Sequence, residues 1–172
     1  MISLNAPFNK NEIENLKVGD IVEISGTIYT ARDAAHKKLF ELLLKKQPLP
    51  FDLTDAVIYY TGATPAKDGE IIGSCGPTTS SRMDSYTPLL LANGVRGLIG
   101  KGGRSKPVTD ALKAYSAVYF VAIGGAGAYY KSTVEAMELV AFPELQSEAI
   151  YKLTIKNFKV VVATDTNGNC LF

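Results

Sequence analysis

An α/β fold is what this sequence predicts, and three observations carry the prediction. Strand-like apolar runs alternate with helix-forming stretches between Val18 and Asp165. Clusters of glycine, proline and hydroxyl residues separate them, most visibly Gly76-Pro77-Thr78-Thr79-Ser80-Ser81-Arg82-Met83-Asp84. Finally, 172 residues with 47% hydrophobic and 20% charged composition suffice for one globular domain with a proper core. The alternation is too irregular to specify a doubly wound parallel sheet, and no repeat, linker or low-complexity segment divides the chain, so residues 1–172 are expected to form one domain.

Taken in order, Val18 to Arg32 alternates apolar and polar residues around a Gly26-Thr27 interruption, which suits strands joined by a bend. Thr30 is then a candidate N-cap, with Asp33 three residues on as a variant capping box, and Ala34 to Lys46 is rich in helix formers. On that helix Arg32 and His36 share a stripe with Ala35, Leu39 and Leu43, so its inward face ends in two cationic or ionisable groups. Pro48-Leu-Pro50 stops it.

Ala56 to Tyr60 and Glu70 to Cys75 read as strands, and Met83 to Asn93 as a helix. That arrangement puts the hydroxyl-rich loop at a helix N-terminus, where backbone N–H groups and the helix dipole favour a carboxylate or phosphate. Val95 to Ile99 is a short strand ending in Gly100-Lys101-Gly102-Gly103, and Ser105 with Pro107 opens a short helix. Ala117 to Ile123 is a continuous apolar run fit for a buried strand. A short helix is expected near Lys131 to Leu139, a strand from Ala149 to Asp165, and a turn at Asn167-Gly168.

Composition excludes several classes. A net charge of +1 gives no general drive toward nucleic acid or acidic membranes. The longest uncharged run, Ala114 to Tyr130, contains three glycines and falls short of the roughly 20 apolar residues a spanning helix needs. No charged-then-apolar signal segment opens the chain, and its two cysteines, Cys75 and Cys170, form no metal-spaced motif. The expectation is a soluble cytoplasmic protein without a disulfide framework or a metal site of its own.

Two superficial phosphate loops fail on inspection. A Walker loop around Gly100-Lys101 requires glycine where Val95 stands and Ser or Thr where Gly102 stands, and a dinucleotide fingerprint from Gly125 requires glycine where Tyr130 stands. The remaining candidates are Arg32, Arg82 and Lys101, each following a predicted strand or opening a helix, where α/β folds place ligand sites. Three cations around a hydroxyl-rich loop suit a small dianion such as a dicarboxylate or phosphate. The competing reading is a capped turn, with Arg32 in an internal salt bridge to Asp84 or Glu70 and Lys101 capping a glycine turn. His36, a lone histidine, is either a general base or ligand or, as is usual without a second His or Cys at metal spacing, a structural residue, and Cys75 either a small core residue or a reactive thiol.

The strings Thr30-Ala-Arg-Asp-Ala-Ala-His-Lys-Lys-Leu39, Tyr59-Tyr-Thr-Gly62, Gly76-Pro-Thr-Thr-Ser-Ser-Arg-Met-Asp84 and Gly100-Lys101-Gly102 closely resemble the β subunit, or C-terminal domain, of class I iron–sulfur fumarases and tartrate dehydratases. The likeness runs in order along nearly the whole chain. Ser81 stands where glycine is frequent, and Cys75 where alanine is frequent.

The resemblance implies a swivelling β/β/α three-layer domain and a hydro-lyase active site shared with a separate α subunit in a hetero-oligomer. That subunit would carry the [4Fe–4S] cluster, whose open iron would act as Lewis acid on the hydroxyl that leaves or arrives. Two distant cysteines cannot supply the three thiolates such a cluster requires. By position, Arg32, Arg82 and Lys101 match the family's carboxylate-binding cations, and Thr78 the threonine that handles the C3 proton. His36, Thr79 and Asp84 are supporting candidates. The implied reaction is reversible hydration of fumarate to (S)-malate, with tartrate dehydration and a non-catalytic dicarboxylate-binding or assembly module as alternatives.

Overall fold

The computed structural model describes all 172 residues, Met1–Phe172. Strand β1 (Ile2–Ala6) and a short helix α1 (Lys10–Ile13) lead into β2 (Ile21–Thr30), then α2 (Asp33–Leu44), β3 (Val57–Tyr59), α3 (Thr87–Ala92), β4 (Gly97–Gly100), α4 (Lys106–Ala114), β5 (Val118–Val121), α5 (Gly127–Ser132), β6 (Val134–Ala141) and β7 (Ile150–Thr164). Strands β1 to β5 run parallel to their neighbours, and β7 runs antiparallel to β2, β5 and β6. The strand order is β1-β2-β3-β4-β5-β7-β6, and an additional β2–β7 pairing closes β2, β3, β4, β5 and β7 into a ring of five.

Closure depends on the 15 residues of β7. One of its edges follows β2 from Lys152 to Val161. The other is divided, with residues up to Ile155 pairing with β6 and residues from Val161 pairing with β5. Asn157, between the two stretches, has φ of 54°, a left-handed conformation that asparagine tolerates better than most residues. In β2 the expected bend is a bulge between Ile24 and Gly26. Gly26 has φ of 104°, and a side chain there would collide with the Ala6 carbonyl of β1, so glycine is required.

Successive residues of the central strands go to opposite cores. Val57, Tyr59, Ile99, Val118 and Phe120 join Ile24, Ile28, Phe158, Val160 and Val162 inside the ring. Ile58, Tyr60, Leu98 and Tyr119 instead pack outside it against Leu39 of α2, Leu90 and Leu91 of α3 and Val108 and Leu112 of α4. Burial on both faces explains why these strands read as continuous apolar runs.

Four sequence expectations are corrected. Thr30 ends β2 and caps no helix: its hydroxyl donates to the Ala149 carbonyl and accepts from the Tyr151 amide, tying β2 to β7, and α2 has Arg32 at its N-cap without a side-chain cap. Glu70 to Cys75 is not a strand. Its backbone groups are taken up by loops instead: Ser74 bonds back to Thr64 and Cys75 bonds to Gly127. Met83 to Asn93 is not one helix; a 3₁₀ turn at Ser80–Met83 precedes α3, which has only six residues. The helix expected from Lys131 is replaced by α5 ending at Ser132, followed by β6, because pairing with β7 outweighs the helix propensity of Glu135 to Leu139.

Candidate active site

The parallel strands β2, β3 and β4 end on the same side of the ring, and the candidate residues leave from those ends: Arg32 after Thr30, Thr61 and Gly62 after Tyr59, and Lys101 directly after Gly100. The hydroxyl-rich loop is latched across them. Thr61 donates to the Gly76 carbonyl at 2.7 Å, the Thr78 amide donates to the Tyr60 carbonyl at 2.8 Å, and Thr79 forms a parallel bridge with Lys101. The Ser80 amide donates to the Lys101 carbonyl at 2.9 Å.

Ser80 itself is buried in a short relay. Its Oγ accepts from the Lys101 amide at 3.0 Å and lies 2.8 Å from the Tyr119 hydroxyl, which donates to the Gly102 carbonyl at 2.6 Å. Tyr119 has one proton and spends it on Gly102, so Ser80 is the donor between the two hydroxyls. The relay passes where a side chain at position 100 would collide with Ser80 Oγ, so Gly100 allows the two loops to approach. The loop is therefore held by backbone and serine contacts and does not sit at the N-terminus of an α-helix. Thr79, exposed and without a side-chain cap bond, does not cap the 3₁₀ turn.

Arg32 and Arg82 meet on one carboxylate. Arg82 Nε lies 2.9 Å from Asp33 Oδ1, and Arg32 Nη2 lies 3.5 Å from Asp33 Oδ2. Glu148 is 4.0 Å from Arg32 Nε, which is buried without a hydrogen bond. The internal partners suggested for Arg32 by sequence are thus displaced: Glu70 pairs with Lys131, and Asp84 pairs with Arg104. The stem of Arg32 lies against Gly62, that of Lys101 against Gly124, and the Lys101 side chain is exposed.

His36 is fully buried. Its Nδ1 is 2.8 Å from the Arg32 carbonyl, which can only accept, so Nδ1 carries the proton. Burial pushes its pKa down to about 4, with the nearby positive charge of Arg104 acting in the same direction and the Arg32 carbonyl opposing. A neutral ring enclosed by Tyr60 and Tyr86 is a support for the Arg32 backbone, not a base exposed to substrate. Cys75 is likewise buried, and burial pushes its thiol up to about 11, which leaves it protonated and unreactive at neutral pH.

The residues present do not fit an iron–sulfur cluster: the two free cysteines are one buried and one exposed, and no group of three His, Cys, Asp or Glu side chains could hold a metal ion. None of the four cavities is lined by Arg32, Thr78, Arg82 or Lys101; the largest, about 450 Å³, lies elsewhere, beside Glu70 and Lys131. Arg82 and Lys101 are exposed, and Arg32 is partly buried. No helix is long and apolar enough to cross a membrane.

Sequence reasoning missed Asp33 as the link between two arginines, Ser80 and Tyr119 as the relay, and Arg104. The available signal for Arg104 was its position three residues after Lys101, at the entrance to a helix.

The profile of the fumarase C-terminus matches residues 1–172. The chain belongs to the fumarase C-terminus family. It is 37% identical over 175 residues to fumarate hydratase 2 of Leishmania major, covering 99% of this chain and 31% of that protein. It is also 37% identical over 175 residues to the aerobic class I fumarate hydratase of Escherichia coli, covering 99% of this chain and 32% of that protein. A Methanocaldococcus jannaschii protein with the provisional name L(+)-tartrate dehydratase subunit beta is 39% identical over 169 residues, covering 95% of this chain and 87% of that protein. This fumarase C-terminus chain therefore spans about a third of the length of the fumarate hydratases it matches, and most of the separate tartrate dehydratase subunit. The family resemblance read from the motif strings is borne out along the whole chain.

Proposed function

We propose that this chain is the β subunit of a hydro-lyase that hydrates fumarate reversibly to (S)-malate, and that it supplies the anion grip and a proton-handling hydroxyl to a composite site. The observation that carries the reading is the carboxylate of Asp33 seated between Arg32 and Arg82. Two guanidinium groups from different loops already converge on one carboxylate, so a substrate carboxylate has a geometry ready for it. Arg82 spends Nε on Asp33, which leaves its two terminal nitrogens for substrate. Lys101, exposed beside the same loop, suits the second carboxylate of a dianion.

Thr78 is proposed to handle the proton at C3. Its amide is fixed on Tyr60 and its side chain is half-buried. A threonine hydroxyl needs a group to take its proton, and the chain's own nearby carboxylates, Asp33 and Asp84, are committed to arginines. The base is assigned to the partner, together with the iron–sulfur cluster, for which this chain lacks the ligands. The same reading makes residues 1–172 one swivelling β/β/α domain in a cytoplasmic hetero-oligomer with an α subunit.

Tartrate dehydration is the second reading, favoured by the M. jannaschii protein, a separate chain of matching extent. Both dianions satisfy the same three cations. Anaerobic co-expression with the α subunit, followed by assays on fumarate, malate and tartrate, decides between them. The chain alone is expected to be folded, colourless and inactive; malate dehydration by this chain, free of any iron–sulfur protein, refutes the division of labour. Assembly without turnover of any of the three diacids leaves a non-catalytic module as the reading.

A further inference from the structure

We propose that Arg104 is a positioning residue that sets the separation and orientation of the two loops carrying Arg82 and Lys101; this rests on the substrate grip proposed above. The Arg104 side chain is fully buried, yet each of its nitrogens is satisfied. Nε donates to Asp84 at 2.8 Å, Nη1 to the Tyr60 hydroxyl at 3.1 Å, and Nη2 to the Thr87 hydroxyl at 2.9 Å. The second oxygen of Asp84 accepts from the Ser105 amide at 2.8 Å, and Thr87 donates onward to the Met83 carbonyl. The guanidinium lies 5.2 Å from the ring centre of Tyr60 and 4.9 Å from that of Tyr119.

These partners are the supports of every proposed site residue. Asp84 is two positions from Arg82, and Arg104 three from Lys101, so their ion pair ties one cation's loop to the other's. The carbonyl of Tyr60 holds the Thr78 amide, and its ring packs on the edge of His36, which holds the Arg32 carbonyl. Tyr119 anchors Ser80 and Gly102. A buried ion pair is a weak device for stability, since well-packed apolar residues do as well, but it is a strict one for geometry. A planar guanidinium with each nitrogen committed to a different partner and two tyrosine ring centres at 5.2 and 4.9 Å is held in an orientation that a lysine ammonium cannot reproduce.

The test uses Arg104→Lys and the milder Tyr60→Phe, which deletes one hydrogen bond and keeps the aromatic ring, in the enzyme assembled with its partner. Ile13→Val, in the core inside the ring, controls for a general loss of stability. Arg104→Lys should lower kcat/KM for the diacid about a hundredfold, the scale of a sub-ångström to ångström misplacement, with KM raised and with the loss persisting well below its Tm. Tyr60→Phe should lose several-fold in the same direction and Ile13→Val should keep the wild-type KM. A wild-type KM and kcat in Arg104→Lys, or in Tyr60→Phe should the lysine variant not fold, overturns the proposal, as does an equal kinetic loss in Ile13→Val.

Hydrogen exchange on the chain itself separates this from failure of the functional reading. The Ser80 and Ser105 amides, bonded to Lys101 and Asp84, should exchange about tenfold faster in the Arg104 or Tyr60 variant while those of β5 and β7 do not change. If the assembled wild type turns over no diacid, the functional reading falls and exchange alone judges the clamp; unchanged protection at both serines overturns it.

Discussion

Replacing Arg82 by lysine separates the proposed grip from stability, because the expected magnitudes of the two differ. Arg82 is half exposed, at 51%, and its one ion pair within the chain is Nε to Asp33 at 2.9 Å. An exposed pair of this kind contributes about 0 to 1 kcal/mol to folding, so the melting temperature of the variant should stay close to wild type. Catalysis is another matter. Arg82 can bond Asp33 through Nε and a substrate carboxylate through its terminal nitrogens at once; the single ammonium of lysine has to choose. Losing a charge-assisted, bidentate contact in the transition state costs about 2 to 3 kcal/mol, or about 30- to 150-fold in kcat/KM. Steady-state kinetics of the reconstituted enzyme on fumarate and malate, with Tm measured on the same preparations, provide the assay. Activity within about threefold of wild type, below the roughly tenfold that 1.4 kcal/mol represents, refutes the role and returns Arg82 to a surface ion pair with Asp33.

Thr78→Ala should lower kcat more than about a hundredfold with substrate binding retained, and should abolish solvent deuterium exchange at C3 of malate; Thr79→Ala, at an exposed side chain that caps nothing, should leave stability within about 0.5 kcal/mol and kcat near wild type. Equal effects at the two positions would count against a proton role for Thr78. His36 makes stability depend on pH: its folded-state pKa of about 4 lies below its ordinary 6.5, so the unfolded chain binds more protons between those values and stability falls as pH falls through them. At about 1.4 kcal/mol per unit the loss by pH 4 is about 3 kcal/mol, measurable by urea unfolding, and His36→Gln should flatten the profile; an unchanged slope disproves the assignment. Alkylation of the native chain should modify one thiol, Cys170, quickly, with Cys75 reacting only on unfolding.

How much of this was legible in the sequence depended on whether a residue's partners are local. Strands β3, β4 and β5 were readable because both of their faces are buried, which forces uninterrupted apolar runs whatever the surrounding topology. β7 was readable from its length and composition, although nothing in its sequence announces that it serves three partners. β6 was not, since Val134, Met137 and Leu139-Val140 are spaced as well for a helix as for an edge strand, and only the register against β7 decides. The run from Glu70 to Cys75 failed in the opposite sense: its apolar pair Ile71-Ile72 suits a strand, but the backbone partners at Ser74 and Cys75 are the loop residues Thr64 and Gly127.

The site divides along the same line. Thr78 was named only by the resemblance of its motif string, whereas glycine and hydroxyl punctuation singled out Arg32, Arg82 and Lys101 as candidates, because loops have local signatures. Which carboxylate each arginine meets has none. Arg82 reaches back 49 residues to Asp33, and Asp84 reaches forward 20 to Arg104. Three arginines, Arg32, Arg82 and Arg104, and two aspartates, Asp33 and Asp84, admit more than one pairing, and desolvation selects between them. Arg104, fully buried among Tyr60, Tyr119 and Thr87, requires a carboxylate inside the fold, and Asp84 is the one its neighbours deliver. That leaves Asp33 for Arg32, partly buried, and Arg82, half exposed, and the Arg82 contact occupies Nε alone, so its terminal nitrogens stay free for the proposed substrate contact. In the proposed site the buried pair fixes the loops, and the exposed one leaves donors over for a carboxylate.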